Sequence, residues 1–87
     1  MHNIPDILKE RQATHGNFAE FANIEQALQS IVLSNQAFYT NVQKSAIRMI
    51  CHKLARITCG DPNHTDHWVD IAGYATLVVT ELTKKPQ

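Results

Sequence analysis

Six residues, Gly60-Asp61-Pro62-Asn63-His64-Thr65, separate two long stretches of helical apolar periodicity, and this break constrains the fold more than any other feature of the chain. Its composition is that of a turn, and a connection so short makes the flanking helices pack antiparallel as a hairpin. On the upstream side, Thr40 followed three residues later by Gln43 is a capping-box pattern, so a helix is expected from near Asn41 to about Cys59, closed by Gly60. Its apolar face comprises Val42, Ala46, Ile47, Ile50, Leu54 and Ile57. On the downstream side, Thr65 or Asn63 is the expected cap of a helix from Asp66 to about Thr83, with a stripe of Trp68, Ile71, Ala72, Ala75, Val78, Val79 and Leu82.

The earlier residues continue the pattern. Pro5 suits the first turn of a short helix that ends near Thr14, and Asp6 complements its positive end. His15-Gly16-Asn17 breaks it, with Gly16 as the expected left-handed stop and Asn17 as the next N-cap. From Phe18 to about Ser34, Phe21, Ile24, Leu28, Ile31 and Val32 recur at helical steps, and Gln36 to Tyr39 bridge to the next element. The one short strand-like run, Ala75 to Thr80, is absorbed by the last helix. The expectation is an all-α domain over residues 1–87, a small bundle of three long helices plus a short N-terminal one, with flexible ends at 1–4 and 84–87.

At 87 residues a single core buries only about 60–65% of the surface of the unfolded chain, so association with further copies, as a homodimer or higher oligomer, is expected. Asp70, Gly73 and Leu77 share a face in which a mid-helix glycine and a leucine point to close approach by a neighbour. Eight basic and eight acidic residues cancel, which removes the phosphate attraction on which nucleic-acid binders depend and discounts DNA and RNA as partners. No apolar run approaches the roughly 20 residues of a membrane span, and MHNIPDILKE lacks the blocks of a signal peptide. A cytoplasmic protein without a membrane partner is expected. On one helix Cys51 and Cys59 would lie about 12 Å apart, too far to bridge, and free thiols suit a reducing compartment.

The chemistry is concentrated between His52 and Ala75. Asp66 and Asp70 lie one helical turn apart, where they can share a divalent cation such as Mg2+ or simply stabilise the positive end of their helix. In an antiparallel hairpin, Lys53 and Arg56 sit level with them, with His52 one turn before Arg56. Two arrangements follow: Lys53 pairs with Asp70 as a structural salt bridge, or Lys53 and Arg56 hold a phosphate whose charge is shared with a metal on the aspartates. Cys59, His64 and His67 match no standard zinc spacing, so zinc is discounted, and His64 instead orders the turn or meets a ligand. Trp68 and Tyr74 are most simply core aromatics, though Tyr74 could hydrogen-bond a carboxylate or stack on a base.

The stretch HKLARITCGDPNHTDHWVDIAGYATLV, with HGNFAEFANIEQAL upstream, resembles a family of small bacteriophage and prophage proteins built on a domain of unknown function. The likeness covers nearly all of residues 15–79 and is most specific in the GDPNH turn and the D-x-W-x-D-I-A-G-Y segment. Where that family has an acidic residue before the upstream phenylalanine, this chain has Asn17. More distantly, Asp66 and Asp70 at the start of a helix are similar to the MazG-type all-α nucleoside triphosphate pyrophosphohydrolases. Those enzymes hold Mg2+ with an E-x-x-E helix and a second acidic helix. The E-x-x-E half has no match here, since Glu20 and Glu25 are five apart.

Together these features lead to one expectation and one rival. The expectation is a phage-type accessory protein that binds a phosphorylated small molecule, a nucleotide above all. His52, Lys53 and Arg56 would contact phosphate, Asp66 and Asp70 a metal or ribose, and His64, Trp68 and Tyr74 would shape the pocket. An enzyme of this kind would use Mg2+-assisted attack of water on a phosphoanhydride. The rival is a non-catalytic interaction module directed at a host protein, in which the polar set is structural.

Overall fold

The computed structural model describes residues 4–15 and 17–84, and among these every regular element is helical. The order is α1 (Ile4–His15), α2 (Phe18–Val32), a 3-10 turn (Gln36–Phe38), α3 (Asn41–Cys59) and α4 (Thr65–Leu82). The expected stop at Gly16 lies outside the described residues, as do residues 1–3 and 85–87 of the ends expected to be flexible at 1–4 and 84–87, whereas Ile4 is the first residue of α1.

Local chemistry sets most of the boundaries. The Asn17 side chain accepts hydrogen bonds from the Ala19 and Glu20 N–H groups at 2.9 and 3.1 Å, two of the donors that the start of α2 leaves unpaired. The capping box of α3 is complete: Thr40 Oγ1 accepts from Gln43 N–H at 3.1 Å, and Gln43 Oε1 accepts from Thr40 N–H at 2.8 Å. Helix α2 stops at Val32, two residues short of the expected Ser34, and the Tyr39 hydroxyl donates to the Val32 carbonyl at 3.2 Å to tie the turn back. Helix α4 begins at Thr65, with His64 at the cap position and no side-chain cap bond. The expected capping by Thr65 or Asn63 does not occur, because the helix starts one residue earlier than expected and puts His64 between them at the cap, while the Asn63 N–H donates to Asp61 Oδ1 at 2.9 Å within the turn.

Helix α3 is the centre of the molecule. Both α2 and α4 pack along it and α1 touches it lightly. Ala46 is buried and lies in the grooves on both flanks of α4, so α4 passes over it. Nine residues on, Ala55 projects about 180° away and, with Cys51, meets α2; their exposures are 0% and 2%. The three long helices therefore form one layer with α3 in the middle. Its small residues permit the close approach.

A single layer leaves two broad sides, and both carry exposed apolar groups: Ile31, Trp68, Val79 and Leu82 on one, Val42, Met49 and Leu77 on the other. On one side Ile47 and Ile50 of α3 line a groove of about 340 Å3 with Ala75 and Val78 of α4. On the other, Val42, Ser45 and Met49 meet Tyr74 and Leu77. Arg48, one turn from Ser45, shares a polar depression with Gln26, Gln29 and Ser30 of α2. At about 100° per residue, Ile24 and Ile31 point the opposite way, toward the Ile47 side. The apolar stripes expected of α2, α3 and α4 thus converge on one side of the layer.

The expected core is corrected in part. Ile31 on this side and Val42 on the other are 73% and 38% exposed, and Trp68, expected in the core, is 50% exposed, whereas Ile24, Ile47, Ile50, Leu54, Ile57 and Ile71 are half-buried. The buried apolar set is small: Phe21, Leu33, Ala46, Cys51 and Ala55. The radius of gyration, 15.6 Å, exceeds the roughly 12 Å expected of a compact chain of this length.

Candidate functional site

The Gly60–His64 turn folds α4 back along α3 and brings basic and acidic side chains together. Lys53 Nζ lies 2.9 Å from Asp70 Oδ2, with 20% and 44% of the two side chains exposed. The ion pair fastens the hairpin on its polar side. It is the structural arrangement of the two that the sequence allowed for Lys53.

Its neighbours on α3 turn to α2 instead. His52 Nδ1 and Glu25 Oε2 are 2.7 Å apart, and the carboxylate is only 16% exposed. The His52 ring meets Phe21 edge-on at 4.9 Å, and the Arg56 guanidinium lies 3.9 Å above the Phe21 ring centroid. Lys53 and Arg56 therefore clamp different helices, one α4 and the other α2.

The aspartates also diverge. Asp70 serves Lys53, whereas Asp66 is 83% exposed and lies 3.8 Å from His64 Nε2. The His64 ring packs against His67 at 4.7 Å. Among the described residues, no group of three or more His, Cys, Asp and Glu side chains is arranged to hold a metal ion. Trp68 places its indole against the turn, Nε1 donating to the Pro62 carbonyl at 2.8 Å, which explains why half of it stays in solvent. Tyr74 is half-buried between Met49 and Leu77, in the groove on the Asp70 side.

Two participants were not among the expected site residues. Glu25 occupies a buried-side position of α2 at helical spacing from Phe21 and Leu28, and a carboxylate set within an apolar stripe was the available signal for an inward partner. His67 is 2% exposed beneath α3, on the face it shares with Ile71, Tyr74 and Val78. Burial, first of all, lowers its pKa below the usual histidine value, and the nearby His64, Lys53 and Arg56 reinforce this against the opposing charge of Asp70. Burial likewise raises the Cys51 thiol pKa, helped by the Glu25 charge, so the sulfur stays protonated and unreactive at neutral pH.

Gly73 lies on the open side of α4. No atom of the chain comes within 4 Å of a Cβ built there, so close packing inside one chain does not explain it. Among the described residues, no helix is long and apolar enough to cross a membrane.

A family model described as a domain of unknown function, DUF6378, matches residues 4–81. No curated protein and no solved structure matches the chain.

Proposed function

We propose that this chain, which belongs to the DUF6378 family, works as a non-catalytic protein-association module whose polar cluster clamps its own helices. The observation behind the reading is the apolar side of the layer, where Ile31, Trp68, Val79 and Leu82 are all at least half exposed. A contiguous surface of this kind marks a protein contact. The polar set supports the same reading, because His52, Lys53 and Asp70 are already engaged in contacts between helices. A phosphate would have to compete with those contacts. The free thiols fit a reducing cytoplasm, and a phage setting, implied by sequence resemblance alone, would add a host protein to the candidate partners.

A second reading keeps the phosphorylated small molecule. It is favoured by one observation: Lys53, paired with Asp70, lies one turn from Arg56 on α3, so release of Arg56 from the Phe21 ring would free both for a nucleotide phosphate. There Asp66 and Asp70 would hold Mg2+, as in a MazG-type hydrolase, and the ion would activate water and clamp the leaving oxygens.

Thermal denaturation with a panel of nucleotides, with and without Mg2+, separates the two. A nucleotide at 100 times its dissociation constant adds about 2.7 kcal/mol of stability. The association reading expects no shift. A shift that Asp70→Ala abolishes transfers the assignment to the second reading.

A further inference from the structure

We infer that the partner on the apolar side of the layer is a second copy of this chain, the two layers packing face to face about a two-fold axis. The inference rests on the association reading and names its occupant. Domains are built from two packed layers around one core, and here a single chain supplies one layer. A second copy provides a matching layer of the same width and the same three-helix spacing.

The exposed area agrees. A folded monomer of 9.8 kDa exposes about 5,200 Å2, whereas this chain exposes 6458 Å2, roughly 1,300 Å2 in excess. A standard interface takes about 800 Å2 from each partner, less than this excess, which the layer shares with the lightly held α1.

The charge pattern permits self-pairing. An isologous contact sets each residue near its own counterpart's neighbours, so any charge on the face would meet like charge. Helix arithmetic puts Ile24, Ile31, Ile47, Leu54, Ala75 and Val79 toward this side. It leaves Glu20, one turn before Ile24, at the end of the face, and over residues 24–31, 43–57 and 68–82 it puts every Lys, Arg, Asp and Glu elsewhere. Those charges lie on the opposite side or between helices, as in the Glu25–His52 and Lys53–Asp70 pairs. The dimer face is then the Ile47 side and not the Asp70/Gly73/Leu77 face to which the sequence first pointed.

Sedimentation velocity on the full chain, from about 1 to about 100 µM, tests the inference. The wild type is expected to sediment as a dimer. The double variant Ile31→Asp, Val79→Asp changes side chains that are 73% and 57% exposed in one chain, so it spares the fold of the single layer. It should raise the dissociation constant by at least about 100-fold, since each carboxylate would be buried without a partner. Leu77→Asp, on the other side, should leave it unchanged. A wild type that is monomeric and folded at the highest concentration overturns the inference, as does a dimer broken by Leu77→Asp and not by the double variant. Should the double variant lose its helical signal, the wild-type melting midpoint decides: a rise with concentration supports the dimer, and a flat midpoint overturns it. The outcome is separable from the functional test. A nucleotide shift with an intact dimer removes the association reading alone, and a monomer without a nucleotide shift removes this inference alone.

Discussion

The two sides of the α2–α3–α4 layer use different physics to satisfy their side chains. On the polar side, Lys53 meets Asp70 at 2.9 Å, and His52, at the seam between α3 and α2, meets Glu25 at 2.7 Å. Such contacts are directional and saturate pairwise, so one chain can complete them. Apolar groups stay open on both sides, Ile31 and Leu82 at 73% and 64% on the Ile47 side and Leu77 at 61% on the Asp70 side, because hydrophobic stabilisation scales with area and a single layer cannot cover its own faces. The difference teaches that a chain can close its electrostatics and leave its core unfinished.

The sharpest way to break that contrast is to disturb the layer itself. Ala55, fully buried against α2, has no room for more atoms, so Ala55→Leu should cost about 2–3 kcal/mol in chemical denaturation. A loss below about 0.5 kcal/mol would mean that α2 does not approach α3 as described.

The polar clamp is expected to be weaker. Lys53→Met and Asp70→Asn should each cost about 1 kcal/mol or less, and a double-mutant cycle should return a coupling of about 0.5 kcal/mol, since the pair is partly exposed to solvent. Zero coupling at low salt would reduce the contact to chance proximity.

Gly73→Ala probes the outer face of α4. With nothing within 4 Å of the added methyl, the substitution should stabilise the chain by roughly 0.5–1 kcal/mol. Destabilisation, or loss of assembly, would bring a partner onto the Asp70 side and weaken the contrast drawn above.

The gentlest perturbation is pH. Because the folded chain holds His67 below the ordinary histidine value of 6.5, the unfolded chain binds its proton first as the solution is acidified. The contribution is therefore complete above pH 6.5 and is lost as pH falls from there toward the folded pKa. Melting curves from neutral to mildly acidic pH should show this loss, and His67→Phe should flatten it. A His67→Phe profile identical to the wild type would place the titrating group elsewhere.

Much of the candidate site was legible because it lies within one hairpin. Lys53 and Asp70 are separated by a short turn, and helix arithmetic from capping residues such as Thr40 sets their level within a turn. Glu25 and His52 were not legible as partners, since they are 27 residues apart and meet only after α2 has chosen its side of α3. Arg56 shows the same limit: its helix position was evident, its place above Phe21 was not. Trp68 was misplaced because periodicity records that a residue is apolar and not whether anything covers it.

The helices, the caps of α2 and α3 and the apolar stripes could be read from the residues alone, because these depend on backbone hydrogen bonding and on spacing within about one turn. So could the antiparallel hairpin, from the shortness of Gly60–His64. Packing between helices made Ala46, Cys51 and Ala55 the most deeply buried residues of α3 and left Ile47 and Ile50 half-buried. The physical reason is that helices in one layer touch along their narrow flanks, where small residues allow close approach. The wide apolar faces are then left pointing out of the layer together.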